Sequence, residues 1–353
     1  MRVPAGGAEL SEDRPPGPSA PSVQRRSSWR ERLGRRPLGP GLWAGLILLA
    51  GYFAVALSAV VVFWNSLDQL STNLYWIPPP PWFRATLGPS AAHPLGVLPG
   101  IGTDIFRAVW QATPWDLSIV AAILAFDAVF GWLLGALAGM EEGGLADTAV
   151  RFVGDSLGAI PSFFLVVALF AGLTAVAPGR ANLTVFVVLF GVIIWPTTAR
   201  TTRERARVVS REPFLESAKA SGGGRRYVFF RHILPNSAAP LLAQIPVDVA
   251  PIFFVLTIFP WFWDCAGGVY NHIGGMSLYP VPSLPTYSPL PSLNFPEWGN
   301  LLAVGACYGL PISTVGPVYW WMFVPPLVAI LGLGIAIALV CDGLEKRLAR
   351  RPR

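Results

Sequence analysis

The sequence predicts an all-α integral membrane protein with six transmembrane helices. The 353-residue chain is 53% hydrophobic and only 13% charged, whereas a soluble domain carries about a quarter charged residues. Several charge-free apolar stretches reach about 20 residues, the length that a helix needs to cross a bilayer. Of the 26 Lys and Arg residues, 23 fall on one side of these stretches, as the positive-inside rule requires. This asymmetry explains the net charge of +6 without a nucleic-acid partner.

Each of the six predicted spans is a long apolar run. They cover residues 41–64, 117–140, 156–177, 181–199, 237–263 and 317–341. The first is longer than the apolar core of a signal peptide and lacks a small-residue cleavage site after it, so it is predicted to be a retained anchor. The fifth contains Pro246 and Pro251, which a span tolerates only where protein or water satisfies the freed carbonyl groups.

Six spans place both termini on the same side, and the basic residues put that side in the cytoplasm. The chain is therefore expected to be a multi-pass protein of the inner or plasma membrane. The predicted parts are a disordered cytoplasmic tail (1–40), the first span, an extracytoplasmic segment (65–112), a transmembrane core (113–342) and a basic cytoplasmic tail (343–353). The core includes a cytoplasmic loop (200–235) and an extracytoplasmic loop (264–316).

The sequence contains no recognisable catalytic or metal-binding motif. A phosphate-binding loop needs a lysine followed by Ser or Thr, but Lys219 precedes Ala220 and Lys346 precedes Arg347. The three histidines lie far apart, without the spacing of a metal site. We therefore expect no catalytic residue, no metal and no cofactor, and any ATP-driven work must be done by another polypeptide.

The cytoplasmic loop is predicted to contain one short helix. Pro213 suits the first helical turn, and the run Gly222–Gly224 ends the helix. Phe214, Leu215 and Ala218 share one face. This pattern favours a helix that lies on the membrane surface or in the groove of a partner.

The spacing of residues in this loop resembles that of a known family. Glu216, Ser217 and Ala218 are followed after three residues by Gly222, and after nine more by His232-Ile233-Leu234-Pro235. This pattern resembles the EAA loop of binding-protein-dependent ABC importer permeases. The continuation to Asn236 resembles their dipeptide/oligopeptide/nickel branch in particular.

Further motifs extend the resemblance over about residues 41–348. They are His93-Pro94-Leu95-Gly96 with Asp104, Arg151 with Asp155, Pro296-Glu297-Trp298-Gly299-Asn300, and Asp342-Gly343-Leu344. Two features depart from the branch. Phe253 to Leu256 and Phe259 to Trp261 stand where the branch usually has an acidic residue and a Ser-Phe-Leu-Gly turn. The loop from Asp264 to Gly316 is also longer than expected.

The resemblance implies a type I ABC importer permease fold and an ATP-driven importer for peptides or a related small solute. It implies that a separate ATPase docks on the loop residues Glu216, Ser217, Ala218, Gly222, Leu234 and Pro235. The implied partners are one or two ABC ATPase subunits, a second homologous permease chain, an extracytoplasmic solute-binding protein and membrane lipid.

Asp127 and Asp248 lie within predicted spans, where a charged side chain costs about 2.5–3.5 kcal/mol on insertion scales. Each could line the translocation pathway or take part in helix packing. Its carboxyl group could be protonated, hydrogen-bonded to another helix or exposed to water. They also support an alternative function, a self-sufficient secondary transporter that uses them as proton or cation sites. A membrane assembly or scaffolding protein is a third class, but it does not explain the spacing in the loop.

Two further side-chain pairs are suggested by position. Cys265 and Cys307 both fall in the outer loop and could form a disulfide if that compartment is oxidising. Arg151 and Asp155 are four residues apart, which predicts an intrahelical ion pair near the cytoplasmic boundary.

Overall fold

The computed structural model describes residues 39–63, 88–97, 104–176, 183–260, 297–309 and 320–349. Eleven α-helices lie in these ranges: α1 (Pro40–Phe63), α2 (Ile105–Met140), α3 (Leu145–Gly158), α4 (Ser162–Val176), α5 (Leu183–Ser210), α6 (Pro213–Ala220), α7 (Arg225–Val228), α8 (Leu234–Asn236), α9 (Ala239–Pro260), α10 (Trp298–Gly309) and α11 (Val324–Ala349). A π-helical turn (Phe229–Ile233) joins α7 to α8, and a 3₁₀ turn (Trp320–Met322) precedes α11.

Five of the described helices, α1, α2, α5, α9 and α11, are long and apolar enough to cross a membrane. A sixth crossing results if α3 and the first half of α4 form one broken span. Many large apolar side chains on these helices are exposed, among them Phe53 and Leu57 of α1. Such surfaces suit a hydrocarbon solvent, and a helix satisfies its own backbone polar groups there. The predicted all-α membrane fold is confirmed.

The third predicted span is not one straight helix. Residues 156–177 were predicted to be continuous, but α3 and α4 meet at an angle of 85°. The break falls at Pro161, since a proline disfavours the α conformation in the residue before it. Similarly, α2 begins at Ile105, twelve residues before the predicted start at 117, and continues through Pro114.

The last two predicted spans differ from the helices in their bounds. Helix α9 is continuous from Ala239 to Pro260 despite its internal prolines. Helix α11 starts at Val324, later than predicted, and runs on to Ala349, so the predicted start of a separate tail at residue 343 falls inside it. The predictions for residues 1–38, 65–87 and 264–296 lie outside the described residues.

The centre of the molecule is the close pairing of α2 with α5 along their lengths. Three α2 glycines at intervals of four residues, Gly131, Gly135 and Gly139, face α5. A Cβ at Gly131 would lie 2.6 Å from Thr198 Cβ, and one at Gly135 would lie 2.9 Å from Ala199 Cα. Such small-residue stripes let membrane helices approach until their backbones touch.

The main hydrophobic core lies where α2, α5 and α9 converge. It includes the fully buried side chains Ile119, Ile123, Phe186, Phe190 and Ile252, and α4, α10 and α11 add one buried residue each. A second, smaller cluster packs residues 214–234 against the end of α2 and the end of α5. The chain between α5 and α9 is thereby fixed to the transmembrane helices.

Candidate functional site

The segment between α5 and α9 starts later than predicted. Residues 200–210 were assigned to the loop, but they form the last turns of α5, which ends at Ser210. Residues 211–238 then contain α6, a glycine turn, α7, the π-helical turn and α8. The loop is thus mostly helical, and the motif residues occupy defined positions in it.

Helix α6 is the short helix predicted for this loop. It begins with Pro213 after the extended residue Glu212. It ends in a turn in which the Gly223 amide donates to Ala218 O (3.0 Å) and the Gly222 amide to Lys219 O (3.0 Å). Gly222 has φ +83°, a left-handed conformation that strongly favours glycine. A side chain at Gly222 would therefore strain the backbone of the turn.

The apolar face of α6 packs against the chain itself. Leu215 is fully buried in the second cluster, and Phe214 is half-buried beside it. The prediction that this face lies on the membrane or in a partner's groove is therefore wrong. The opposite face, with Glu216, Ser217 and Lys219, is exposed.

The motif residues divide into an exposed group and an anchoring group. Glu216, Ser217 and Gly222 are exposed around the end of α6, and Ala218 is half-buried. Leu234 is buried, and its carbonyl accepts a hydrogen bond from Trp132 Nε1 of α2 (3.0 Å). Pro235 is exposed next to it.

His232 holds the returning segment against α6. Its ring lies 6.0 Å from the ring of Phe214 and 5.4 Å from that of Tyr227, measured between centroids. The backbone carbonyl of His232 also accepts from Asn236 Nδ2 (2.6 Å). These contacts leave the exposed face of α6 free of packing from this segment.

Charged side chains join α3 to α5 near the same end of the molecule. Arg203 of α5 forms a buried ion pair with Asp147 of α3. The predicted Arg151–Asp155 pair is wrong: Arg151 lies 3.6 Å from Asp147, and Asp155 accepts from Arg200 (2.9 Å). Because α3 packs directly on α5, its acidic residues find partners across the helix contact.

Asp127 and Asp248 come together inside the helix bundle. Asp127 accepts from the Thr198 hydroxyl of α5 (2.7 Å), and Asp248 accepts from Gln244 Nε2 (2.8 Å). Both carboxyl groups are buried and interact with each other. The structure therefore brings the two carboxyl groups near each other where α2, α5 and α9 meet, each with its own hydrogen-bond donor. Their role in the translocation pathway stays a prediction.

A second pair of buried carboxyl groups fixes α10 to α2. Asp116 Oδ2 accepts from the backbone amide of Trp298 (2.9 Å), and the Trp298 indole donates to Val109 O (3.0 Å). Glu297 lies beside Asp116, outside the spans, and accepts from the Gly299 amide (3.1 Å). Burial raises the pKa of Glu297 to about 8. Glu297, Trp298 and Gly299 thus each take part in the contact between α10 and α2.

The loop that precedes α2 is tied to the start of that helix. His93 Nδ1 lies 2.7 Å from Asp104 Oδ2, and Asp104 Oδ1 accepts from the Arg107 amide as the helix N-cap. Of the predicted disulfide, Cys265 lies outside the described residues, and only the backbone of Cys307 is described. Within the described ranges, no group of three His, Cys, Asp or Glu side chains could hold a metal ion.

Comparison with known proteins matches the middle of the chain to a family model. Residues 131–268, from the glycine stripe of α2 to just beyond α9, match the model of the binding-protein-dependent transport system inner membrane component. The matched region includes the whole loop with its exposed α6. This part of the chain therefore resembles the membrane subunit of an ABC transport system.

Several curated permeases are similar over most of their length. The glutathione transport system permease protein GsiD of Pectobacterium atrosepticum is 29% identical over 277 residues, covering 78% of each chain. The probable D,D-dipeptide transport system permease protein DdpC of Escherichia coli K12 is 28% identical over 74% of each chain. The oligopeptide transport system permease protein OppC of Bacillus subtilis is 24% identical over 93% of this permease and 91% of the relative.

The family match and the similar permeases confirm the predicted class of protein. The permease is a multi-pass, non-enzymatic membrane subunit of an ABC transport system. Such a system also requires an ATPase and a solute-binding protein. The resemblance read from the EAA-like spacing is thus confirmed by comparison over a much longer stretch of chain.

Sequence reasoning missed several residues that organise the site. The glycine stripe of α2 was readable as glycines at intervals of four, the usual signal of a close helix contact. Asp147 and Arg203 gave no such signal, because they are 56 residues apart and meet only through packing of α3 on α5. The role of Asp116 could not be predicted from the sequence either, because its partner Trp298 lies 182 residues away.

Proposed function

We propose that this permease forms one half of an import pathway for short peptides and that a separate ATPase drives it by docking on α6. The docking surface consists of the exposed residues Glu216, Ser217 and Lys219 and the turn at Gly222. The observation that carries the proposal is the division of α6 into a packed face, anchored by the fully buried Leu215, and an exposed face that bears Glu216 and Ser217 of the motif.

Because the buried face of α6 is packed against the rest of the chain, the docking surface can transmit a displacement. A helix held only by its two chain ends would yield when a partner pushes on it. Leu215 and Phe214 instead pack into a cluster with Val228, Ile233 and α2 residues, and packed interiors are poorly compressible. A displacement imposed on Glu216 or Gly222 would therefore reach the transmembrane helices.

The proposed cargo and partners follow from the relatives and from the exposed surface. Relatives are named for glutathione, D,D-dipeptide and oligopeptide transport, and all of these solutes contain peptide bonds. Large apolar side chains such as Phe53, Phe164 and Phe254 are exposed in the single chain. We propose that lipid and a second permease chain cover this surface.

The proposed orientation places both termini and α6 in the cytoplasm. Nine basic residues lie between the fourth and fifth predicted spans and eight precede the first, which is the bias expected of cytoplasmic segments. An ATPase that uses cytoplasmic ATP then reaches α6 directly. The loop before α2, with His93 and Asp104, faces the solute-binding protein.

Docking can be tested by capture of the ATPase on the purified permease. We expect Glu216→Arg and Gly222→Val each to reduce co-purification of the ATPase about tenfold, which corresponds to about 1.4 kcal/mol of contact energy. The first variant reverses a charge on the exposed face, and the second forces a branched side chain into a left-handed turn. Quantitative immunoblotting of the co-purified subunit measures the effect.

Glu345→Arg provides the control, because Glu345 is an exposed acidic residue on α11 and does not belong to the loop. It should capture as much ATPase as the unaltered chain. Equal capture by all three variants would refute docking on α6. Peptide uptake by vesicles that contain no ATPase would instead support a self-sufficient transporter that uses Asp127 and Asp248.

A further inference from the structure

The turn between α2 and α3 carries two adjacent acidic residues that reach toward the loop. Glu142 forms an ion pair through Oε1 with Arg207, in the last turns of α5. Its other oxygen, Oε2, lies 2.7 Å from Arg211 Nη2. The hydrogen bond from Arg211, together with the charge of Arg207, holds the pKa of Glu142 below its usual value. Glu142 therefore stays ionised and paired across the physiological pH range.

The neighbouring residue Glu141 binds a different part of the loop. It forms an ion pair with Arg225, the first residue of α7. Arg211 lies just before α6, and Arg225 lies just after the glycine turn that ends it. The two glutamates thus hold the chain on both sides of α6.

Other contacts attach the same loop to α2. Ser210 Oγ donates to Gly139 O of α2 (3.2 Å), and the indole of Trp132 donates to Leu234 O (3.0 Å). The second hydrophobic cluster also includes Ala136 and Met140 of α2. Helix α2 therefore contacts the loop at several points, although the loop is covalently joined to α5 and α9 and also packs on α5.

We propose that Glu141 and Glu142 are positioning residues that clamp both flanks of α6 to α2 and transmit its displacement to that helix. The proposal rests on the proposed function, because it presupposes that the ATPase moves α6. It adds that the ion pairs pass the movement of α6 to α2. The covalent chain connects α6 only to α5 and α9.

Because these ion pairs are exposed, a positioning role can be distinguished from a role in folding stability. The side chains of Arg225 and Glu141 are 65% and 34% exposed, and exposed pairs contribute little to folding stability. Breaking one should leave the permease folded. It should nevertheless loosen the geometry of a surface that has to transmit force.

Charge exchange between Glu141 and Arg225 tests the clamp. The experiment uses the assembly of permease and ATPase, with the three native cysteines of the permease replaced. A single new cysteine, Arg107→Cys, is placed at the start of α2, the end opposite to Glu141 and Glu142. The readout is the rate at which a membrane-impermeant maleimide labels this cysteine with and without ATP. We expect Glu141→Arg and Arg225→Glu each to reduce the ATP-dependent change in rate about threefold or more, while the combined variant recovers most of it.

Capture of the ATPase and thermal stability are measured on the same preparations. Both should stay near the values of the unaltered assembly, because neither residue lies on the exposed face of α6. As a control, exchanging Asp342 and Lys346, an exposed pair 2.7 Å apart on α11, should leave the labelling response intact.

Two outcomes would overturn the clamp: an unchanged ATP response in both single variants, or a combined variant as defective as the single ones. Either result leaves docking on α6 standing as long as Glu216→Arg still reduces ATPase capture. Failure of the docking proposal would instead appear as unimpaired capture in the Glu216 and Gly222 variants.

Discussion

Replacement of Arg203 by methionine is expected to lower the free energy of unfolding by about 3–5 kcal/mol, because it leaves the buried carboxylate of Asp147 without its main partner. The side chains of Arg203 and Asp147 are only 9% and 1% exposed. Arg151 at 3.6 Å and the Gly143 amide at 2.9 Å remain near Asp147, so the loss should fall at the lower end of the range. Thermal unfolding in detergent measures it.

A matched variant distinguishes the stability cost of breaking the buried ion pair from that of breaking an exposed one. Lys346→Met removes one partner of the exposed Asp342–Lys346 pair and should cost less than about 1 kcal/mol. Combining Arg203→Met with Asp147→Asn should cost less than the sum of the single changes, because no buried charge is left unpaired. A melting temperature of Arg203→Met equal to that of the unaltered permease would contradict the assignment.

Gly135→Leu is expected to have the second large effect, because α2 and α5 touch at this position. A Cβ on Gly135 would lie 2.9 Å from both Ala199 Cα and Thr202 Cβ, so the two helices must separate. Overpacking of this kind costs about 1–3 kcal/mol in well-packed cores, and here backbone atoms cannot move aside. We expect the yield of monodisperse protein to fall several-fold, as measured by size-exclusion chromatography.

Gly51→Leu is the control for this substitution. Gly51 lies on α1, where a Cβ would meet nothing within 4 Å, so the same change in side chain should leave the yield of folded protein intact. Equal losses in both variants would show that the effect comes from glycine replacement in a membrane helix and not from the contact between α2 and α5.

The elements predicted well from sequence were those fixed by local chemistry. Long apolar runs located α1, α2, α5, α9 and α11, because a span needs about 20 mainly apolar residues whatever its neighbours are. Helix α6 was bounded correctly by Pro213 and Gly222, since a proline start and a glycine stop act through the backbone of the residues concerned.

What sequence could not predict depends on contacts between distant parts of the chain. The buried face of α6 has the pattern of any amphipathic helix, so the pattern alone did not show that Leu215 packs against α2. The spacing of Arg151 and Asp155 fitted an intrahelical pair, but the packing of α3 on α5 offered Asp155 the side chain of Arg200 instead. The bend between α3 and α4 was hidden because their apolar residues run on across Pro161.

Cross-linking from α6 is the most direct measurement of whether the ATPase acts on this segment. Ala220→Cys, exposed at the end of α6, would be joined by a short bifunctional thiol reagent to cysteines on the ATPase in native membranes. Ala91→Cys, exposed in the loop before α2, serves as the reference for the opposite side. We predict a cross-link from residue 220 and none from residue 91. A cross-link from residue 91, or none from residue 220 in an assembly that still holds its ATPase, would contradict docking on α6.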